Sequence, residues 1–291
     1  MPMASESPQE SLATKLTAHD IQARKGGPRL SMVSVYDFPF ARLAEEAGID
    51  VLLVGDSLGM VVQGHDSTVP VTLDDVIYHA KAVRRGASRT HVVADLPFLT
   101  YHIDTGRAIE NAGRLLQEGG ADSVKLEGGQ EVAERAAAIV RAGIPVMGHI
   151  GLTPQSAGAL GGFKVQGRDV ASARKILTDA EAIADAGAYA MVVEVIPAEL
   201  GGMITASVPI PTIGIGAGPA CDGQVLVAHD MLGLQERIIG RFAKVYANVG
   251  DDVRRAFASF AEEVRAGSFP DEEHSYGMAK DVAAQLRESP R

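Results

Sequence analysis

The chain has little cysteine and no long apolar run, and both absences limit what it can be. Cys221 is the only cysteine, so an intrachain disulfide is excluded. This scarcity is typical of proteins from a reducing compartment, and we expect a cytoplasmic protein. No apolar stretch reaches the roughly 20 residues that a membrane-spanning helix needs. The first ten residues are polar and acidic, so we do not expect them to be a signal peptide.

Positive charge is also scarce. The 291 residues include 27 Lys and Arg against 37 Asp and Glu, which gives a net charge of −10. A basic surface for nucleic acid is therefore not expected. Closely spaced pairs of His or Cys, which are common in zinc sites, are missing as well. Apolar residues make up 46% of the chain, which is ample for a large core.

Short apolar runs alternate with helical stretches from about residue 31 onward, and we expect Phe242 to Ala266 to form closing helices. Eight bounded runs of this kind are typical of parallel strands buried on both faces. They lie at residues 31–36, 51–54, 91–94, 123–126, 145–148, 189–193, 212–215 and 224–227. The alternation predicts an α/β protein with a single (β/α)₈ TIM barrel, and an open doubly wound sheet is the alternative. We expect residues 1–14 to be disordered, 15–275 to form the barrel and 276–291 to form a tail.

Four of the predicted strands end at a single acidic residue. These residues are Asp56, Asp95, Glu127 and Glu194. Because α/β folds build their sites at the carboxyl ends of the strands, we expect the four side chains to meet. Two aspartates and a glutamate are hard oxygen ligands that suit Mg²⁺, and a fourth acid can accept a proton. For Asp56, followed by Ser57, capping of the next helix is an equally good interpretation.

Two basic side chains accompany these acids. Side chains two apart in a strand point the same way, so Lys125 and Glu127 share one side of the fourth strand. They form a simple salt bridge there, or Lys125 neutralises an anionic substrate while Glu127 faces a cation. His149 follows the fifth predicted strand and either donates a hydrogen bond to a substrate or is a core histidine.

Two stretches are rich in glycine. The run 213–219 has glycines at 214, 216 and 218, which do not match the dinucleotide-binding fingerprint. It could cradle a phosphate, pass close to a ligand or simply turn tightly. Residues 151–167 form a longer connection than usual between a strand and a helix, and this stretch is a candidate lid or binding loop.

Seven segments of the chain carry the motifs of a known enzyme family. They are Gly55-Asp-Ser-Leu-Gly-Met-Val-Val-Gln-Gly-His-Asp-Ser-Thr68, Ala94-Asp-Leu-Pro-Phe98, Val124-Lys-Leu-Glu-Gly-Gly129, Gly148-His-Ile-Gly-Leu-Thr-Pro-Gln-Ser156, Gly161-Gly-Phe-Lys-Val-Gln-Gly-Arg168, Ile213-Gly-Ile-Gly-Ala-Gly218 and Asp222-Gly-Gln-Val-Leu226. In this order, over about residues 15–275, they resemble the ketopantoate hydroxymethyltransferase (3-methyl-2-oxobutanoate hydroxymethyltransferase) family.

The resemblance implies a fold, an activity and an assembly. The fold would be a (β/α)₈ barrel related to the phosphoenolpyruvate mutase and isocitrate lyase superfamily. The activity would be transfer of a one-carbon unit from 5,10-methylenetetrahydrofolate to 3-methyl-2-oxobutanoate, which gives 2-dehydropantoate for pantothenate and coenzyme A synthesis. Members of the family are typically homodecamers, so a homodecamer is expected here.

The resemblance also implies roles for individual residues. Three acids match the family's magnesium site: Asp56, Asp95 and Glu127. The matching keto-acid contacts are Ser57 and Lys125 together with the two aspartates, and Glu194 matches the proton acceptor.

Two other functions remain open at this point. A Mg²⁺-dependent C–C or P–C lyase of the same superfamily would also act on a 2-oxo acid. Such lyases usually carry a cysteine on a mobile loop, and no such motif is present in this sequence. A barrel that only binds a ligand would have no need of a proton acceptor such as Glu194.

Overall fold

Eight parallel strands form a closed barrel in the computed structural model, which describes residues 15–235 and 240–288. The strands follow one another around the barrel in chain order, and the last one pairs with the first. They are β1 (Leu30–Ser34), β2 (Val51–Val54), β3 (His91–Asp95), β4 (Ser123–Glu127), β5 (Val146–Gly151), β6 (Ala190–Glu194), β7 (Thr212–Ile215) and β8 (Gly223–Val227). The predicted barrel is confirmed, and the open sheet is wrong. The segment 1–14 lies outside the described residues.

Helices surround the barrel and connect its strands. Their bounds are α1 Ala18–Gln22, α2 Phe38–Glu46, α3 Leu58–Val61, α4 Leu73–Gly86, α5 Thr105–Gln117, α6 Ala133–Arg141, α7 Val170–Asp185, α8 Ala198–Ser207, α9 Ala228–Met231, α10 Val249–Ala266 and α11 Lys280–Glu288. The short helices α1, α3 and α9 and the C-terminal α11 were not predicted. In the described ranges, no helix combines the length and hydropathy needed to cross a membrane.

Alternate residues of each strand pack into two different layers. Met32, Leu53 and Val93 belong to the layer inside the barrel, whereas Val54 packs in the layer between strands and helices. Ile21 of α1 is fully buried against the inner layer, so α1 closes the amino-terminal end of the barrel. Burial on both faces explains why the strands are continuous apolar runs.

Polar side chains fix the starts of several helices. At the start of α4, the hydroxyl of Thr72 accepts a hydrogen bond from the N–H of Asp75, and the Asp75 carboxylate accepts one from the N–H of Thr72. Asp37 caps α2 and Asp169 caps α7 in the same way through their carboxylates. Each such cap stabilises its helix by about 1 kcal/mol.

Asp222 joins three segments at the amino-terminal end of the barrel. Its carboxylate accepts hydrogen bonds from the N–H of Gly26 at 3.0 Å, the N–H of Thr212 at 2.9 Å and the ammonium of Lys25 at 3.0 Å. Burial raises the pKa of Asp222, but these partners lower it by more. The motif that begins at Asp222 is therefore structural, because catalytic sites of such barrels lie at the opposite end.

The C-terminal part departs from the expected pattern. The closing helix predicted from Phe242 begins only at Val249, and the tail contains α11. Four apolar side chains at helical spacing along α10 are exposed: Val253, Phe257, Phe260 and Val264. We call these four residues the α10 stripe. The residues 15–235 and 240–288 of a single copy leave the α10 stripe exposed.

Candidate active site

Consecutive strands β2 to β6 deliver charged side chains to one cavity at the carboxyl ends of the strands. The cavity has a volume of about 200 Å³. Its lining includes every site residue predicted from the sequence: Asp56, Ser57, Asp95, Lys125, Glu127, His149 and Glu194. The strand-end pattern therefore identified side chains that do meet in space.

Lys125 pairs with Asp95 and not with Glu127. The two residues lie opposite each other in the register of β3 and β4, and the Lys125 Nζ is 3.0 Å from the Asp95 Oδ1. Burial opposes the charged ammonium, but the surrounding carboxylates outweigh this effect and the pKa of Lys125 is raised. Val124 and Leu126 pack in the outer layer, as the two-residue period of a strand requires.

Asp56 is the most strongly perturbed acid of the site. Burial raises its pKa well above the ordinary value, and the negative charges of Asp95 and Glu127 raise it further. Its backbone N–H donates a 3.0 Å hydrogen bond to the Asp95 Oδ2. Five carboxylates share the cavity with two basic side chains, Lys125 and His149; the fifth is Asp230. A cation would relieve this excess of negative charge.

His149 lies within β5 and bridges two glutamates. Its Nδ1 is 3.3 Å from the Glu127 Oε1, and its Nε2 is 3.0 Å from the Glu194 Oε2. Burial and the Lys125 ammonium lower the pKa of His149, but the glutamates outweigh both and raise it to about 9. The imidazole is thus held by protein partners, and its predicted contact with a substrate stays a prediction.

Ser57 presents its hydroxyl to the cavity and does not cap the next helix. It occupies the capping position of α3, but its side chain makes no capping hydrogen bond. Its Oγ lies 2.8 Å from the hydroxyl of Tyr36, a buried residue just after β1. Of the two interpretations of the Asp56-Ser57 pair, the structure supports the site and not the cap.

Glu194 is held at the end of β6 by an unusual backbone. Its side chain keeps 16% exposure, against 3% for Glu127. The next residue, Val195, has φ of 47°, which β-branched residues rarely adopt. Gly151 has φ of 92°, and a Cβ there would lie 2.3 Å from the Glu194 carbonyl oxygen. This strain and close packing fix the segment that carries the proton-acceptor candidate.

Gln155 is a site residue that the sequence did not reveal. The residue is buried, and its Nε2 donates hydrogen bonds to the Asp56 Oδ2 at 2.8 Å and to the Leu96 carbonyl at 3.0 Å. Its backbone N–H donates to the Glu127 Oε2 at 2.9 Å, and its Oε1 accepts from the Tyr101 hydroxyl at 2.9 Å. One residue therefore positions two of the acids.

The glycine-rich run after β7 is packed by protein atoms. Gly216 has φ of 64°, and a Cβ there would lie 3.1 Å from the ring of Phe242. A Cβ on Gly218 would lie 2.4 Å from the Cβ of Ala198. Both glycines have a positive φ, which fits the interpretation of a tight turn, and the atoms that approach the loop belong to Phe242 and α8.

The donor set of the cavity fits Mg²⁺ without a preassembled cluster. In the ranges that the structure describes, no three His, Cys, Asp or Glu side chains form a ready metal site. The Asp95 Oδ1 lies 3.0 Å from the Lys125 ammonium, and the carboxylates of the cavity still outnumber its basic side chains. Mg²⁺ usually takes one or two protein carboxylates and keeps several waters.

Solved structures share this fold at low sequence identity. A 2,3-dimethylmalate lyase, a PEP mutase/isocitrate lyase superfamily member, superposes with a TM-score of 0.56 at 17% identity over 94% of both chains. A phosphonopyruvate hydrolase in complex with oxalate and Mg²⁺ gives 0.56 at 13% identity, over 94% of this chain and 96% of the hydrolase. The likeness shows the class of fold, a (β/α)₈ barrel, and in this chain the barrel carries a candidate active site at the carboxyl ends of its strands.

Sequence relatives narrow the class to one family. A 3-methyl-2-oxobutanoate hydroxymethyltransferase from Carboxydothermus hydrogenoformans is 55% identical, over 91% of this chain and 96% of the relative. The enzyme of the same name from Moorella thermoacetica is 57% identical, over 90% and 98%. The family profile matches residues 15–272. The chain belongs to the ketopantoate hydroxymethyltransferase family.

Proposed function

We propose that the chain transfers a hydroxymethyl group from 5,10-methylenetetrahydrofolate to 3-methyl-2-oxobutanoate and forms 2-dehydropantoate, a step of pantothenate synthesis. Relatives more than half identical carry the name of this activity. The observation that carries the proposal is the shared cavity. It places an anion-pairing lysine, three clustered acids and a fourth, more exposed carboxylate within one small volume.

Three acids would hold a magnesium ion in this site: Asp56, Asp95 and Glu127. The raised pKa of Asp56 and the excess of carboxylates over basic side chains in the cavity both support a missing positive charge. When bound, Mg²⁺ supplies a Lewis acid that stabilises the negative charge left on the keto acid when a proton leaves.

Glu194 is the proposed general base. The proton at C3 of 3-methyl-2-oxobutanoate is only weakly acidic, so its removal needs a positioned acceptor. The Glu194 carboxylate takes this proton, and the electron pair of the C3–H bond forms the new C–C bond to the methylene carbon of the folate. Both C–N bonds of the methylene carbon break, and their electron pairs stay on N5 and N10 of the folate. The transfer takes up one water, whose OH becomes the product hydroxyl, while the two nitrogens take up the proton from C3 and the remaining proton of the water. His149, 3.0 Å from the Glu194 Oε2, orients the carboxylate.

Lys125 and Ser57 would position the keto acid. The Lys125 ammonium is buried beside Asp95 and offsets the negative charge of the substrate carboxylate. The Ser57 hydroxyl is fixed by Tyr36 and can donate one hydrogen bond toward the cavity. Together they would hold the substrate with its C3 toward Glu194.

The lyase alternative is not favoured by any observation. Cys221 is buried, it is absent from the lining of the cavity, and burial raises the pKa of its thiol. A thiol in such surroundings is a poor acid and a poor nucleophile.

The assembly and the compartment belong to the same proposal. The exposed α10 stripe supports association between copies of the chain, and the decamer of the family is the assembly we propose. The single cysteine supports a cytoplasmic location.

Proton exchange and turnover test the function separately. Incubation of 3-methyl-2-oxobutanoate with the protein and Mg²⁺ in deuterated water should exchange the C3 proton without folate. Addition of 5,10-methylenetetrahydrofolate should then give 2-dehydropantoate. Cleavage of a C–C or P–C bond in 2-oxo acids, with no such product, would instead support the lyase.

Glu194→Gln tests the base. The amide cannot accept the proton, so we expect exchange at C3 to fall by at least about 100-fold. Binding of the keto acid and of Mg²⁺, measured by calorimetry, should stay close to wild type. Glu181→Gln on the exposed face of α7 is the control with the same charge change. Undiminished exchange in the Glu194 variant would remove this residue from the base role.

A further inference from the structure

The rim of the cavity is divided into two unlike halves. Strands β2 to β6 supply all the charged groups of the proposed chemistry. The remaining strands β7, β8 and β1 supply Ile215, Val225, Val227 and Ser34, which are apolar or small. The reaction has two reactants of unlike chemistry, a small anion and a flat heterocycle. The charged half suits the anion and leaves the other half for the heterocycle.

Asp230 is the exception in the apolar half. It lies on α9, directly after β8, and its half-buried side chain lines the cavity. Among the described residues, no hydrogen-bond donor or cation contacts its carboxylate, and burial alone raises the pKa of Asp230. The neighbouring His229 packs its ring on Tyr36 at 5.5 Å and on Phe40 at 5.8 Å. A partly buried acid without a partner is costly, so its retention in a cavity points to a ligand.

Two aromatic side chains line the same cavity as this acid. Phe242 rests on Gly216 and keeps 38% of its surface exposed. Phe163, on the long loop after β5, is 54% exposed and also lines the cavity. Half-exposed rings in a concave site offer flat apolar faces on which a planar ligand can stack.

We propose that Asp230 and Phe242 form the subsite for the pteridine ring of the reduced folate. This inference rests on the proposed function. The 2-amino-4-oxo edge of the ring presents two adjacent N–H donors, which match the two oxygens of a carboxylate. Phe242 stacks on the ring. The keto acid is an anion and would be repelled by Asp230, so it is not the ligand of this half.

The chemistry of the transfer requires the ring to enter the cavity. The one-carbon unit is attached to the ring system itself, so the ring has to lie next to the keto acid. The acidic tail of the folate then remains outside, away from a protein of net charge −10. Asp230 would fix the edge of the ring that is remote from the transferred carbon.

Asp230→Asn tests the subsite with little change of shape. The amide presents an N–H to the donor edge, so the KM for 5,10-methylenetetrahydrofolate should rise at least about tenfold. The KM for 3-methyl-2-oxobutanoate should change less than about twofold, because a pair in the other half of the rim binds the anion. Asp185→Asn, exposed at the end of α7, is the matched charge control. An unchanged folate KM in Asp230→Asn would overturn the assignment.

A folate analogue gives a test that does not depend on how the variant folds. Wild-type protein should bind 2-desamino-2-methyltetrahydrofolate at least about tenfold more weakly than tetrahydrofolate, as measured by calorimetry. The Asp230→Asn variant should bind the two ligands about equally. Equal discrimination by both proteins would show that another group recognises the edge.

These outcomes separate the subsite from the proposed function. If the wild-type protein forms no 2-dehydropantoate but its binding of tetrahydrofolate depends on Asp230, the transfer is refuted and the subsite is supported. If the wild-type protein forms the product and the Asp230→Asn variant has the same KM for 5,10-methylenetetrahydrofolate, the subsite alone is refuted.

Discussion

Residues of the site hold one another in position through the protein itself. Asp95 pairs with Lys125, Glu127 with His149, and Gln155 supports Asp56 from the long loop. Most of these contacts join neighbouring strands whose register places the partners opposite each other. Because of this mutual support, the charged side chains move little when substrates bind. Much of the catalytic effect of a polar site arises from side chains that are already in position.

Gln155→Met should weaken metal binding. The variant keeps the size of the side chain but removes the donor to Asp56 and leaves that buried oxygen without a partner. We expect the affinity for Mn²⁺, followed by electron paramagnetic resonance as a probe for Mg²⁺, to fall about tenfold. Gln166→Met is the control, because Gln166 lies in the same loop and its side-chain amide donates to the Lys164 carbonyl and not to an acid of the site. Equal Mn²⁺ affinity in both variants would contradict the role of Gln155.

The site was only partly visible in the sequence at this scale. Asp56, Asp95, Glu127 and Glu194 were found because each ends an apolar run, a local pattern. Gln155 and Asp56 are 99 residues apart in the sequence, and no pattern of residues around Gln155 predicts their contact. Asp230 was missed for a similar reason, because an acid in a short helix is usually solvated.

Elements of the barrel are tied together at the end away from the site by Asp222. Asp222→Asn should lower the urea midpoint at pH 7 and cost about 1–3 kcal/mol in the free energy of unfolding. The folded pKa lies below that of the unfolded chain, about 3.9. The carboxylate therefore contributes stability above about pH 4 that is lost as the pH falls through the folded pKa.

The pH dependence is the specific part of this prediction. The gap between wild type and Asp222→Asn should be largest at pH 7, begin to shrink below about pH 4 and reach its minimum once the pH is below the folded pKa, where both side chains are neutral. Asp185→Asn should show no comparable gap, since Asp185 is exposed. A gap that stayed constant down to pH 3 would mean that shape, and not charge, explains the loss.

Regular elements were predicted well because their patterns are local. All eight strands appear at the predicted places, with bounds that differ by at most two residues except at the end of β5, which extends three residues further to Gly151. Helix α3 was missed because four residues are too few to show a periodic pattern. The predicted start of the closing helix at Phe242 was wrong, since residues 242–248 make no helix and Phe242 packs on the loop after β7.

The whole molecule carries an uncovered apolar surface on α10. Phe257→Glu places a charge in the centre of the α10 stripe and should shift the protein to smaller species in light scattering after size exclusion. Ser259→Glu adds the same charge on another face of the helix and should leave the assembly intact. Identical masses for the two variants would show that the α10 stripe is not a contact between copies.

The left-handed backbone of Val195 sets the stability of this barrel against its catalytic rate. Residues in such conformations typically cost about 1–3 kcal/mol and persist because the surrounding structure enforces them. A substitution that removed the backbone strain at Val195 would raise the free energy of unfolding. The same substitution would leave the Glu194 carboxylate, one residue earlier in the chain, less firmly positioned. Selection for heat resistance alone would therefore tend to erode the enzyme's rate at this point, and selection for rate would preserve a local weakness.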